Sequence, residues 1–474
     1  MKNHHVSIAF VLLVLAGFLG EAAAQTLTTL YQFGGAPTNG QTPHAGLVQG
    51  SDDYFYGMTF GGGTNSDGTV FRIATNGTLT TLWQFGGNPT NGTEPTYVGL
   101  VQGSDGNLYG TTIQGGTNNY GTVFRITTNG TLTTLWQFGS DATNGLYPGS
   151  GLVQGSNGNF YGMTSGGGTN GDGTVFQISS AGNLTTLYQF GGLPTDGQDP
   201  YGARLVQGSD GYFYGAAHNG GTNDVGTVFK ITSQGTLTTL WQFGNDATNG
   251  QYPAGGLVQA SDGYFYGTTS EGGTNGDGTV FRITTNGTLT TLWQFGGNPT
   301  NGQGPYAAGL VQGSDGNFYG TTIQGGTNNY GTVFRITTNG ALTTLWQFSS
   351  GGTTNGTSPE AGLAQGSDGD FYGTTEYGGT NNVGTVFKLF VHLNPPANQI
   401  SSILVDSTGT NLVFGIPSVA SETYQLQFSP SMSPTNWVNV PAVSVTNSIG
   451  ALLTVTNFGG ASQTQGFYRF SITP

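Results

Sequence analysis

The residues of this chain that could do chemistry are few. His44, His218, Glu271, Glu360 and Glu376 stand in segments rich in Gly, Asn and Tyr. An imidazole can move a proton near neutral pH or ligate a metal. Paired carboxylates can run glycoside hydrolysis when they stand roughly 5 to 9.5 Å apart. No spacing among these residues forms a metal-ligand pattern, and two histidines so far apart do not make a site by themselves. Arg204 is a further candidate, since a guanidinium suits an anion. Tyr97, Tyr147, Tyr201, Tyr252, Tyr306 and Tyr377 occur in the same kind of segment, and such aromatics beside Asn, Gln and acidic groups suit neutral sugars or a protein segment.

Other chemistries lack their residues. There are no cysteines, which excludes disulfides, thiolate catalysis and zinc-thiolate sites. There is no G-x-S-x-G elbow and no phosphate-binding loop. Asn-Gly-Asp-Gly at 170–173 and 275–278, and Asn65-Ser66-Asp67-Gly68, resemble pieces of a calcium loop. None has the full ligand set, and turn geometry accounts for them. No cofactor is expected; calcium is the one ion these turns leave open.

The elements that must position these residues come from an internal repeat. A Leu-Val-Gln-Gly motif and its variants place Leu at 47, 100, 152, 205, 257, 310 and 363, and Leu-Thr-Thr-Leu begins at 27, 79, 132, 184, 237, 289 and 342. One unit holds four strand-like runs, at 99–103, 108–112, 121–127 and 132–138, rich in Val, Thr, Ile and aromatics. Ser104-Asp105-Gly106 closes the first hairpin. Asn129-Gly130 closes the last, with the dipeptide that favours type I′ geometry. Four strands per unit of about 50 residues is the signature of propeller blades. Apolar residues of the fourth run occupy both parities, as expected where both faces of a blade are covered. The expected fold is all-β: a seven-bladed β-propeller over residues 25–390, its last blade closed by the N-terminal strand. That closure follows because the array opens on a lone fourth strand and stops after a third.

Bulk features fit an exported protein. Residues 1–24 read as a signal peptide, with an apolar run at 6–20 and Ala22-Ala23-Ala24 as the cleavage site. The apolar run is too short to span a bilayer, so no membrane insertion is expected after cleavage. With a net charge of −14 and nine Lys and Arg in all, no basic patch exists for nucleic acid. Residues 391–399 read as a Pro-containing linker. Residues 400–474 carry further short strands, as in an immunoglobulin/fibronectin-III-like β-sandwich.

Comparing blades separates scaffold from candidate site. The turn aspartates Asp52, Asp105, Asp210, Asp262, Asp315 and Asp368 are matched by Asn157, which fits a turn role. Arg72, Arg125, Lys230, Arg282, Arg335 and Lys388 share one position in the third strand, with Gln177 in the remaining blade; stems packed between blades with locally paired heads account for them. Arg204 instead replaces a Gly found in the other six blades. The long loops, which carry His44, Tyr201, His218, Glu271, Tyr306, Glu360, Glu376 and Tyr377, should share one face and the channel mouth.

The stretch Gly-Leu-Val-Gln-Gly-Ser-Asp-Gly-Asn-Phe-Tyr-Gly-Thr-Thr at 309–322, with Gly-Gly at 325–326 and Gly-Thr-Val-Phe at 331–334, resembles the GloVer tandem repeat of Gloeobacter and Verrucomicrobia. The resemblance covers roughly residues 27–390 and implies an exported bacterial protein with variable C-terminal attachments. It brings no catalytic residues. The layout is also similar to kelch blades. The tail, with Tyr424-Gln425-Leu426-Gln427 and Gly466-Phe467-Tyr468-Arg469, looks like C-terminal modules of secreted verrucomicrobial proteins. The expected function is non-enzymatic: a secreted monomer binding a polysaccharide or a protein on its long-loop face. A carbohydrate-active enzyme using acidic residues at the channel mouth, and a purely structural surface protein, are the alternatives.

Overall fold

The computed structural model describes residues 25–306, 309–349 and 356–391, and six strands between residues 402 and 473. The leader expected at 1–24 and the linker expected at 391–399, Val391 apart, lie outside the described residues. Residues 26–390 form seven antiparallel sheets, each with a core of four strands in ring order. In the first blade these are Val48–Gln49, Phe55–Thr59, Thr69–Ile73 and Leu79–Gln84. The innermost strand is only two residues long in six of the seven blades; in the fifth it merges into Gln251–Gln259.

The second and third strands are almost wholly buried on both faces, because neighbouring blades cover them. The core therefore lies between blades, in seven clusters that each join two neighbours. At six of the seven interfaces a buried Tyr stacks on a Phe of the next blade with ring centroids 3.9 to 4.1 Å apart. The remaining interface has Leu108 where the others have Phe. Each such Tyr is tied to the turn residue four positions before it. Tyr266 donates to Asp262 at 2.6 Å, and in the third blade Asn157 reverses the polarity, donating to Tyr161 at 2.8 Å. The recurring aspartates are thus turn-formers whose second oxygen holds a core tyrosine.

A second latch recurs at all seven interfaces. The Gln of the Leu-Val-Gln motif accepts a hydrogen bond from the Ser backbone N–H of a neighbouring blade's turn, as in Gln102 with Ser51 at 2.9 Å and Gln49 with Ser367 at 2.8 Å. The third-strand cations behave as blade features. Arg72 and Arg282 lie 4.8 and 4.9 Å over Tyr54 and Tyr264, while Lys388 meets Asp368 at 2.9 Å and Asp370 at 2.6 Å.

Two details of the fourth strand differ from the sequence expectation. Its mixed parity has a local cause besides covered faces. Register shifts by one residue in every blade, between Val70/Phe71 in the first, so Leu82 is bulged out and the alternation flips. The hairpin before it is not type I′, which needs positive φ at both central residues. Asn129 has ordinary φ and only Gly130 is left-handed, at +94°, so a type I turn followed by a left-handed Gly closes it. That Gly also permits a close approach: a Cβ on Gly130 would lie 2.7 Å from the carbonyl oxygen of the bulged Leu82 in the preceding blade.

Closure follows the phase of the repeat. Thr26–Gln32 pairs antiparallel with Thr385–Phe390 and completes the seventh blade. Phe33 then inserts between the seventh and first blades. In the tail, Ser402–Val405, Leu412–Pro417 and Leu452–Asn457 form one three-stranded antiparallel sheet, and Thr423–Ser429, Val438–Thr446 and Phe467–Thr473 form another. Among the described residues, no helix is long and apolar enough to cross a membrane.

Candidate functional site

The innermost strands begin at a collar of glycines. A Cβ on Gly99 would lie 2.7 Å from the Gly46 carbonyl oxygen, and one on Gly362 3.0 Å from that of Gly309. Adjacent backbones therefore touch around the axis. Arg204 is the one side chain in this collar, held by a parallel bridge to Gly151. Its side chain meets water, yet protein surrounds it closely enough that burial pushes the guanidinium's pKa down.

Above the collar, on the long-loop face, lies a cavity of about 230 Å³. Six of the seven blades contribute to it, all but the third. His44 comes from the first, Tyr97 from the second, Tyr201 and His218 from the fourth, Tyr306 from the sixth, and Glu360 and Glu376 from the seventh. Gly202, Ala254 and Gly255 complete the lining. Six of the nine residues singled out from sequence thus converge on one cavity. Tyr377 stands at its edge, hydrogen-bonded to Glu376, which pushes its hydroxyl up to about 12, with burial adding to the effect. Arg204 lies in the collar and is not part of the lining. Glu271 is exposed at the end of Phe265–Glu271, opposite Gln251, and does not line the cavity.

Ring closure builds the densest part of the site. His44 Nδ1 lies 2.6 Å from Glu360 Oε2, and Nε2 lies 3.7 Å from Glu376 Oε1. The His44 side chain is 11% exposed and wedged edge-on by Phe60 at 5.4 Å and Tyr97 at 4.8 Å. Burial and the neighbouring Glu360 raise the Glu376 carboxyl, opposed by the Tyr377 hydroxyl and His44. One nitrogen of His44 and one oxygen of each glutamate all lie within 4.8 Å of one another, a donor set able to hold a metal ion.

Across the cavity the tyrosines form a second group. The Tyr97 and Tyr201 rings meet at 5.8 Å and their hydroxyls interact. Burial pushes the hydroxyls of Tyr97, Tyr201 and Tyr306 up, and nearby carboxylates add to this, so all three stay neutral donors. His218 stacks on Tyr252 at 5.1 Å, and its neighbour Asn219 donates to Asp199. Burial raises the Asp199 carboxyl, with His218 and Asn219 opposing.

Sequence reasoning named Tyr97 only among the long-loop aromatics, without singling it out, and missed Asp199. For Tyr97 a signal existed: its counterparts are Ala45, Ser150, Gly202, Gly255, Ala307 and Ala361. The His44 cluster gave no spacing signal, because its members are 316 and 332 positions apart (360 − 44 and 376 − 44) and only the closed ring makes them neighbours.

A family model described as the Gloeobacter/Verrucomicrobia repeat matches residues 18–208, 143–308 and 201–415. No curated protein matches the chain. Among solved structures, virginiamycin B lyase from Staphylococcus aureus superposes with a TM-score of 0.52 at 16% identity, covering 77% of this chain and 99% of that one. An extracellular domain assigned to a hybrid two component system of B. thetaiotaomicron, BT3049, gives 0.51 at 12% identity, covering 94% of this chain and 57% of that one. A second such domain, BT4673, gives 0.50 at 12% identity, with 83% and 46% covered. This chain thus spans about half the length of the two Bacteroides chains. At these identities the likeness is one of fold.

Proposed function

The chain belongs to the Gloeobacter/Verrucomicrobia repeat family, and on that premise we propose that it is a secreted, non-enzymatic binding protein whose propeller holds a glycan at the axial cavity. The observation that carries this reading is the convergence of Tyr97, Tyr201 and Tyr306, from three different blades, on an open cavity of about 230 Å³. That volume suits one sugar ring. Neutral phenols flanked by His and carboxylate groups offer both stacking faces and hydrogen bonds.

The hydrolase alternative needs two carboxyl groups far enough apart to flank a glycosidic bond. Glu360 and Glu376 instead crowd one imidazole, with donor oxygens within 4.8 Å of each other. A purely structural propeller would have its mouth filled by apolar side chains, and this mouth is open and lined by Tyr, His and Glu. An immunoglobulin- or fibronectin-like tail would serve as a spacer or attachment module, placing the long-loop face outward at a cell surface. The extracellular domains among the structural neighbours support an extracellular setting.

The test is a screen of the mature chain, residues 25–474, against bacterial and plant polysaccharides, reading thermal shift and reducing-end release together. The expected result is a shift without release, abolished by Tyr306→Ala and by Tyr201→Ala. Release of reducing ends would replace this reading with the hydrolase.

A further inference from the structure

His44 and Glu360 occupy the same repeat position in the first and seventh blades, where the other five carry Thr96, Gly149, Tyr201, Ala254 and Tyr306. Glu376 occupies the position of Phe60, Ile113, Ser165, His218, Ser270 and Ile323. Three departures from the repeat therefore meet across the closure seam. Blade packing does not ask for them, since the other interfaces are built without them.

We propose that His44 Nε2 and Glu376 bind one first-row divalent cation at the seam, with Glu360 holding Nδ1 from outside and the remaining coordination positions open to the axial cavity. Two observations besides the donor distances point to a cation. First, the charge is uncompensated. Two glutamates, both largely buried, share a single imidazole, and among the described residues neither has a Lys or Arg partner. Two carboxylates in a low-dielectric site repel each other and lose hydration, and a divalent ion supplies the missing charge. Second, the imidazole is already oriented. Phe60 and Tyr97 fix its plane, and Glu360 at 2.6 Å holds Nδ1, as metal-binding histidines are held by a carboxylate on the other nitrogen. An imidazole nitrogen beside a carboxylate favours manganese or zinc over calcium, which prefers six or more oxygens. This site stands independently of the glycan reading, because the ion would bind with the cavity otherwise empty.

The test uses the mature full chain stripped with EDTA and titrated with Mn²⁺, following free Mn²⁺ by electron paramagnetic resonance. Zn²⁺ and Ca²⁺ are titrated in parallel by calorimetry. The expected result is one saturable Mn²⁺ per chain, displaced by Zn²⁺ and not by equal Ca²⁺, with spin-echo modulation from a directly bound imidazole ¹⁴N. Outer partners of metal sites alone are worth 10- to 100-fold in affinity, so His44→Gln and Glu376→Gln should each weaken binding by more than about 10-fold. Glu360→Gln preserves shape and guards against misfolding as the cause, and it should weaken binding too. Glu271→Gln, on the same face but outside the cavity, should leave binding unchanged. Absence of saturable binding, binding that survives His44→Gln and Glu376→Gln, loss of ¹⁴N modulation with binding intact, or equal affinity for Ca²⁺ would each overturn the proposal. Glycan binding that persists in EDTA would leave the glycan reading standing while this one is judged by the metal titration.

Discussion

Phe33 is the residue through which the N-terminal strand seals the ring, and its removal can be worked through quantitatively. The ring is 1% exposed, sits edge-on to Phe71 of the first blade at 5.4 Å, and packs on Tyr31 at 5.1 Å. Its N–H donates to the Gly384 carbonyl of the seventh blade at 3.0 Å. Phe33→Ala leaves those backbone bonds and deletes the buried ring, a change worth about 3 to 5 kcal/mol in a well-packed core. That is a large part of the roughly 5 to 15 kcal/mol that holds a typical domain together. Phe138→Ala deletes the same contact at an interior interface, against Phe176 at 5.5 Å, and should cost the same within about 1 kcal/mol in urea unfolding. The two variants should differ in where the ring opens. At the seam the lost energy is local, because the closing strand joins the seventh blade by hydrogen bonds and side-chain packing, with no short covalent connection to it. Exchange of the amides in Thr26–Gln32 and Thr385–Phe390 should therefore accelerate by about two to three and a half orders of magnitude in Phe33→Ala, since each 1.4 kcal/mol is tenfold. In Phe138→Ala the same amides should respond only through global unfolding. Unchanged seam exchange in Phe33→Ala, or a chain lacking residues 25–33 that melts like the parent, would refute the closure argument.

Two further perturbations test the scaffold. In six blades a buried Thr pair joins the second and third strands, as in Thr59 with Thr69 at 2.9 Å; the fourth blade has Ala217 instead, which leaves the Thr227 hydroxyl buried without a partner. Ala217→Thr should raise stability by about 0.5 to 1.5 kcal/mol in urea unfolding, and a loss would mean that the core around Ala217 cannot accept the larger side chain. Tyr266→Phe removes a 2.6 Å bond to Asp262 and should cost about 1 kcal/mol, near the lower end for a charged acceptor because that carboxylate still meets water. Asp262→Asn should stay within about 0.5 kcal/mol of the parent, since Asn157 makes the equivalent contact in the third blade; a larger loss there would show that the negative charge matters.

The scaffold was legible because its signal is repeated seven times. Strand runs, turn residues and the lone N-terminal strand each said the same thing, and pairing of Thr26–Gln32 with Thr385–Phe390 is the geometry they required. The turn aspartates and third-strand cations were read correctly as blade features by the same comparison. Finer features escaped where one residue type serves two geometries. Asn-Gly reads as type I′ but here makes a type I turn with a left-handed Gly, and the bulge at Leu82 mimics a strand covered on both faces. The candidate site was legible in membership and not in arrangement. Departures from the repeat at His44, Tyr201, Tyr306, Glu360 and Glu376 marked positions that the closed ring brings to one cavity. Their distances depend on ring curvature, which no local pattern encodes, and so Glu271 was singled out while Tyr97 was only one of six long-loop tyrosines.

The seven Gln–Ser latches and the six equivalent Tyr–Phe stacks have a consequence for how such a chain can change over generations. Every blade presents the same front and the same back, so no single interface records how many blades there should be. A unit of 52 or 53 residues can be copied or lost between any two neighbours without a new surface having to be invented, and the near-identity of the second and sixth units is what such copying leaves behind. The pairing of His44 with Glu360 is different in kind. Its halves belong to the first and last members of the array, so it survives any change of number in between and forms only when the two ends meet. In a protein made of interchangeable parts, it marks the one interface, among the described residues, at which the first blade meets the seventh.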